Sequence, residues 1–219
     1  MIAAVVRLLE MTLIRVGNEE YARDNKSYGL TTFRNRHASV RGATVRFKFR
    51  GKSGKDHLIS LQDRRLAGIV KRLQDLPGQA LFQYVDDDGE EQRIDSADIN
   101  EYLRDVTGQD FTAKDFRTWA GTVLCSVALR TIDDAESPTQ AKRNVAQVVK
   151  TVSERLGNTP TVCRKSYIHP NVIDAYMDGS MLDRLGEQVG EAAEDASNDL
   201  TADERSVLQL LRGRLADAS

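Results

Sequence analysis

Apolar positions near the start of the chain fall at Val5, Leu8, Leu9 and Leu13, close to the helical period, and predict a helix over residues 3–14. The pattern then changes. Val45, Phe47 and Phe49 alternate with Arg46, Lys48 and Arg50, the period of a half-buried strand. Residues 51–56 read as a turn and 57–61 as the returning strand, which places Lys52 at the tip of a β-hairpin. Helical spacing dominates from there on. Leu66, Ile69, Val70 and Leu73 mark a helix that ends near Pro77-Gly78, and a short apolar piece over 80–85 meets an acidic turn over 86–89. Asp95 or Ser96 caps a helix that closes before Gly108. Thr112 opens the next, with Asp115 in a first turn that favours a carboxylate. Ser137-Pro138 is an N-cap followed by proline at the first helical position, and the helix runs through Val145, Val148, Val149 and Val152 to Gly157. A short helix is expected around 161–167, and another from His169-Pro170. Residues 179–200, rich in Ala, Glu, Gly and Asp, suggest a loosely packed helix and loop. Thr201 with Glu204 forms a capping box for a terminal helix bearing Val207, Leu208, Leu210, Leu211 and Leu215. The expectation is a mainly α fold with a small β-hairpin or sheet element, a domain over 1–178 and an acidic helical tail over 179–219.

Composition narrows the class. A chain of 219 residues with 40% hydrophobic content supports one large domain or a domain with a small appendage. No apolar run reaches the roughly 18 residues of a membrane span. Arg7 and Glu10 interrupt the apolar opening, so neither a secretory signal nor a membrane partner is expected. Cys125 and Cys163 stand far apart in sequence, which suits a reduced cytoplasmic compartment. The net charge of -2 hides an asymmetry. Residues 1–60 hold 12 Arg or Lys against 5 Asp or Glu, a balance of +7, whereas 178–219 hold 4 against 10, a balance of -6. A basic face for a polyanion and an ordinary solvated basic surface both fit these numbers.

Several chemistries lack their motif. Gly51-Lys52-Ser53 lacks the spaced glycine of a phosphate-binding loop, the histidines at 37, 57 and 169 form no metal-spaced cluster, and no serine sits in a nucleophile elbow. Two segments stand out: Lys114-Asp115-Phe116-Arg117-Thr118-Trp119, and residues 157–167 with Asn158, Arg164, Lys165 and Tyr167. Each has an ordinary reading when taken singly. A helical tyrosine is most often a core or rim residue. Arg15 stands at i, i+4 from Glu19, Lys52 suits a turn, and Asn158 after Gly157 suits a helix C-terminus.

The ordered series is more specific. Leu13-Ile14-Arg15-Val16-Gly17-Asn18 with Tyr21, then residues 28–37 with Arg34 and Arg36, then Phe49-Arg50-Gly51-Lys52, Lys114-Asp115-Phe116-Arg117 and Arg164-Lys165-Ser166-Tyr167 resemble the catalytic domain of poxvirus-like and bacterial type IB DNA topoisomerases. The resemblance covers about residues 5–180 and is nearer to a bacterial member, which implies the tyrosine recombinase/topoisomerase IB catalytic-domain fold and a place in the bacterial cytoplasm, at the nucleoid. It implies Tyr167 as nucleophile, Arg15 and Arg117 as the catalytic arginines, and Lys52 as the catalytic lysine. Asn158 stands where the poxvirus enzymes have histidine, replacing a group that can be cationic by a neutral donor. Tyr21, Arg34, Arg36 and Lys114 become candidate DNA contacts, double-stranded DNA the partner, and no cofactor, metal or ATP is implied. A monomer is expected.

The residue types suit that chemistry. Attack on a phosphodiester builds negative charge on the nonbridging oxygens, which two permanently charged, planar guanidinium groups are suited to meet. A lysine on a hairpin is a plausible general acid for the departing 5′-oxygen. Two alternatives remain: a tyrosine recombinase, in which histidine typically stands at the place of Lys114, and a DNA-binding module without activity. Family members usually also carry a smaller β-rich N-terminal domain that closes around DNA. This chain starts after its place, so weaker, salt-sensitive binding and less processive relaxation are expected.

Overall fold

Helix α1 (Ile2–Thr12) buries Ala4, Val5, Leu8 and Leu9 on one face. It stops where Leu13 turns left-handed at φ 55°, its N–H bonded to the Leu9 carbonyl. A second short helix, α2 (Glu19–Asn25), begins at Asn18, whose side chain accepts from the Tyr21 N–H at 3.0 Å. Arg15 therefore lies in the connection between the two helices, so helical pairing with Glu19 does not arise, and Glu19 instead faces Arg93 at 3.6 Å.

The computed structural model describes residues 1–86, 88–132, 135–181 and 200–216. The chain divides into two compact units, residues 1–116 and 117–219. The first holds a three-stranded antiparallel sheet of β1 (Ala38–Arg41), β2 (Thr44–Arg50) and β3 (Asp56–Gln62), with β2 in the centre. The β2–β3 hairpin is the one the alternation predicts, in the register Phe47↔Ile59 and Phe49↔His57. Strand β1 is additional. Val45, Phe47 and Phe49 point inward, where Phe33 packs 5.3 Å from the Phe47 ring and 4.7 Å from that of Phe49. Helix α3 (Arg64–Gln74), capped by Asp63, adds Leu66, Ala67 and Val70 to the same core. A two-stranded ribbon of β4 (Gln83–Val85) and β5 (Glu91–Arg93) follows, then α4 (Ser96–Thr107), capped by Asp95 and ended by Gly108 at φ 65°.

Helix α5 (Ala113–Arg130) continues into the second unit, which also holds α6 (Pro138–Arg155), α7 (Pro160–Ser166), α8 (Pro170–Met177) and α9 (Ala202–Ala216). Val145, Val148, Val149 and Val152 of α6 are buried as their spacing predicts. Polar links tie α9 to its neighbours. Trp119 Nε1 donates to Glu204 at 3.0 Å, Arg130 pairs with Asp203 at 2.6 Å, and Arg214 pairs with Asp178 at 2.9 Å. Most of the loose segment expected over 179–200 lies outside the described residues. Among the described residues, no helix is long and apolar enough to cross a membrane. The observed class is mostly helical with small antiparallel sheets, as expected.

Candidate functional site

Two groups of candidate residues take shape, one in each unit. In the first, Arg15, Gly17, Asn18, Tyr21, Ser27, Tyr28 and Lys52 line an open cleft of about 200 Å³. Its floor depends on close backbone approach. The Leu30 N–H donates to the Arg15 carbonyl at 2.9 Å and the Thr31 N–H to that of Val16 at 2.6 Å. Gly29 is packed so tightly that a Cβ there would stand 2.6 Å from the Arg15 carbonyl oxygen and from the Gly17 nitrogen. Gly17 itself holds φ +116°, which L side chains rarely adopt. Arg15 is thus held by its backbone where it lines the cleft.

Lys52 reaches the same cleft from the hairpin tip. The Gly51 N–H donates to the Lys55 carbonyl at 2.7 Å, closing the turn, and the Tyr28 N–H donates to the Arg50 carbonyl at 2.8 Å, tying the tip end of β2 to the cleft wall. Phe49 and His57 stack beneath at 5.0 Å. The Lys52 ammonium sits 6.0 Å from the centroid of the Tyr21 ring, at the outer range of a cation–π contact, and that ring is 53% exposed. His37 anchors the segment behind Tyr28. Its Nδ1 accepts from the Arg34 N–H at 3.1 Å, and its ring lies 4.4 Å from that of Tyr28. Burial, reinforced by the charges of Arg36 and Arg34, lowers its pKa to about 4. Arg34 and Arg36 are exposed, Arg34 reaching Gln79 at 3.3 Å, and Lys114 is exposed on the first turn of α5. None of these three lines the cleft.

In the second unit the end of α6 builds a site. Gly157, at φ 63°, lets its N–H reach the Glu154 carbonyl at 3.1 Å while the Asn158 N–H reaches that of Ser153 at 2.8 Å, the paired bonds of a Schellman motif. The ordinary reading of Gly157-Asn158 as a helix terminus is therefore correct, and the same turn buries Asn158 and directs the Leu156 carbonyl to Arg117. Arg117 Nη2 donates to that carbonyl at 2.6 Å, where the helix C-terminus favours a cation. Its guanidinium carbon lies 5.3 Å from the centroid of the Tyr167 ring. Tyr167 caps α7 with its N–H on the Cys163 carbonyl and is 8% exposed.

The residues that hold Tyr167 were not among the sequence candidates. A Cβ at Gly121 would stand 2.3 Å from the Tyr167 carbonyl oxygen, so α5 approaches the tyrosine backbone only because residue 121 has no side chain. Thr118 donates to the Ser166 carbonyl at 3.4 Å, and Thr122 accepts from the His169 N–H at 3.1 Å. A glycine between two threonines inside an otherwise helical run is the available signal, since interior glycine weakens a helix unless close packing requires it. The cysteines sit nearby as buried thiols. Burial pushes Cys125 up to about 12, with Cys163 adding to the shift and Arg164 opposing it. Burial also raises Cys163, against the charge of Arg117.

Residues 1–195 match the family described as "Eukaryotic DNA topoisomerase I, catalytic core". The chain is 32% identical over 184 residues to "DNA topoisomerase 1B" of Acanthamoeba polyphaga mimivirus, covering 81% of this chain and 55% of the relative. It is 25% identical over 185 residues to "DNA topoisomerase I" of Monkeypox virus, covering 82% and 55%. To "DNA topoisomerase 1B" of Vaccinia virus (strain Copenhagen) it is 25% identical over 188 residues, with the same coverage. The chain thus spans about half the length of the curated relatives it matches. These relatives are viral and lend no support to a bacterial source.

Proposed function

This chain belongs to the type IB DNA topoisomerase family, and from that premise we propose that it relaxes supercoiled duplex DNA by transient cleavage and resealing of one strand. The observation that carries the reading is the Arg117 guanidinium set 5.3 Å from the Tyr167 ring by a bond to the end of α6. A cation so placed favours the phenolate that forms as Tyr167 attacks, against a free phenol pKa of about 10. The Tyr167 oxygen bonds to phosphorus as the bond from phosphorus to the 5′-oxygen breaks, giving a 3′-phosphotyrosyl link and a free strand end.

Arg15 and Arg117 hold the nonbridging oxygens as their charge grows, and Asn158 adds a neutral donor. Lys52 gives its proton to the departing 5′-oxygen. The bond energy stays in the phosphotyrosyl link, so the 5′-hydroxyl reverses the step after strand rotation without ATP, and the arginines supply the charge that a metal ion supplies elsewhere. The reading assigns residues 1–178 to catalysis, in the recombinase-like fold of the family, and 179–219 to an acidic tail. Tyr21, Arg34, Arg36 and Lys114 contact DNA in this reading. Plasmid relaxation in EDTA without ATP tests it: the parent chain relaxes supercoils and Tyr167→Phe does not. Relaxation by both removes Tyr167 as the nucleophile.

A further inference from the structure

The outward face of the three-stranded sheet belongs to neither group above. Val45, Phe47 and Phe49 of β2 are buried, whereas Arg46, Lys48 and Arg50 are exposed on the opposite face. By register, Arg46 stands between Ser39 of β1 and Ser60 of β3, and Lys48 lies opposite Leu58. Residues directly opposite share a face, so Arg41, paired with Thr44, adds a fourth cation. Asp56, opposite Arg50, is the one acid in this set. Among the described residues, no ion pair engages Arg41, Arg46, Lys48 or Arg50.

Charges on a sheet commonly protect an edge strand from pairing. That role does not apply on β2, which is paired on both sides. Three like charges at alternate positions, about 6.8 Å apart, repel one another and favour an anion laid across them. That spacing is about twice the 3.4 Å axial interval between charges on one DNA strand. Leu58, 66% exposed on the same face, offers an apolar surface of the kind a deoxyribose covers. Strand β2 also runs directly into Gly51-Lys52, and Lys52 lines the cleft that holds Arg15.

We propose that this sheet face is a track for the sugar–phosphate backbone of the same duplex that occupies the Arg15–Lys52 cleft. The inference rests on the topoisomerase reading in taking duplex DNA as the polyanion. It is tested with the full chain and a duplex of about 30 base pairs, measuring affinity from about 50 to about 200 mM salt. Replacing two phosphate-contacting cations in R46Q/K48Q makes the negative slope of log K against log salt shallower by about 1.8, and L58K makes it steeper by about 0.9. Single-turnover cleavage of fully bound DNA is unchanged in both variants. Parental slopes in both, with circular dichroism showing folded protein, overturn the track while leaving the topoisomerase reading intact. If the parent binds duplex but never nicks it, the topoisomerase reading fails and the slopes still decide the track. No binding by the parent overturns both.

Discussion

Gly121 and the carbonyl oxygen of Tyr167 lie in such close contact that a single added methyl carbon at 121 would stand 2.3 Å from that oxygen. Helix α5 therefore positions the proposed nucleophile through the absence of a side chain. Gly121→Ala should force the Ser166–His169 backbone away from α5, costing about 1–3 kcal/mol of stability by overpacking. Displacing the tyrosine by a fraction of an ångström to an ångström should slow single-turnover cleavage on the order of 100-fold. Duplex affinity, set by phosphate contacts, should change little. Denaturant unfolding and cleavage of bound duplex check the two effects separately.

Arg117 depends on geometry as well as charge. It bonds the Leu156 carbonyl through one nitrogen while its planar group faces Tyr167. Arg117→Lys keeps the charge but loses the fork, so the cleavage rate should fall by about 100- to 1,000-fold. Binding should be nearly unchanged, because the interaction that disappears belongs to the transition state. An equal fall in affinity and rate would make Arg117 an ordinary phosphate contact.

His37 should make stability depend on pH. In the folded chain burial holds its pKa at about 4, against an ordinary value of 6.5. Between those values the unfolded chain binds more protons than the folded one. The contribution is therefore fully present above about pH 6.5 and is lost as pH falls towards 4. Unfolding of the parent and of His37→Gln, followed across pH 4–7, should show a flatter profile for the variant in this window.

Much of this architecture is legible in the sequence because its signals are local. The alternation of Val45, Phe47 and Phe49 gives the hairpin and places Lys52 at its tip, and Asp95, Ser137 and Thr201 announce helix starts by their own chemistry. Strand β1 is too short and too mixed, as Ala38-Ser39-Val40-Arg41, to declare itself without its partner. The support of the site is also non-local. Gly29 explains Arg15, Gly121 explains Tyr167, and Trp119 meets a carboxylate 85 residues away, none of which any window of sequence contains.

That last contact fixes the terminal helix. Burial pushes the Glu204 carboxyl up, but bonds from the Thr201 N–H, the Thr201 hydroxyl and the Trp119 indole outweigh it and leave its pKa below the ordinary value. Glu204→Ala removes the capping-box carboxylate and the indole's acceptor together, at a cost of about 1 kcal/mol. Amide hydrogen exchange over 202–216 should accelerate while the α6 core over 145–152 keeps its protection. Uniform acceleration would mean that α9 is an inseparable part of the unit's core.

Trapping the covalent intermediate tests Tyr167 as the nucleophile most directly. A duplex whose cleaved 5′-hydroxyl fragment is too short to remain annealed, labelled on either side of the break, is mixed with the chain in EDTA. A protein–DNA adduct should form that carries the label on the 3′-phosphate side, maps to Tyr167 and is absent from Tyr167→Phe. An adduct on the 5′ side, or one that survives in the phenylalanine variant, would contradict it.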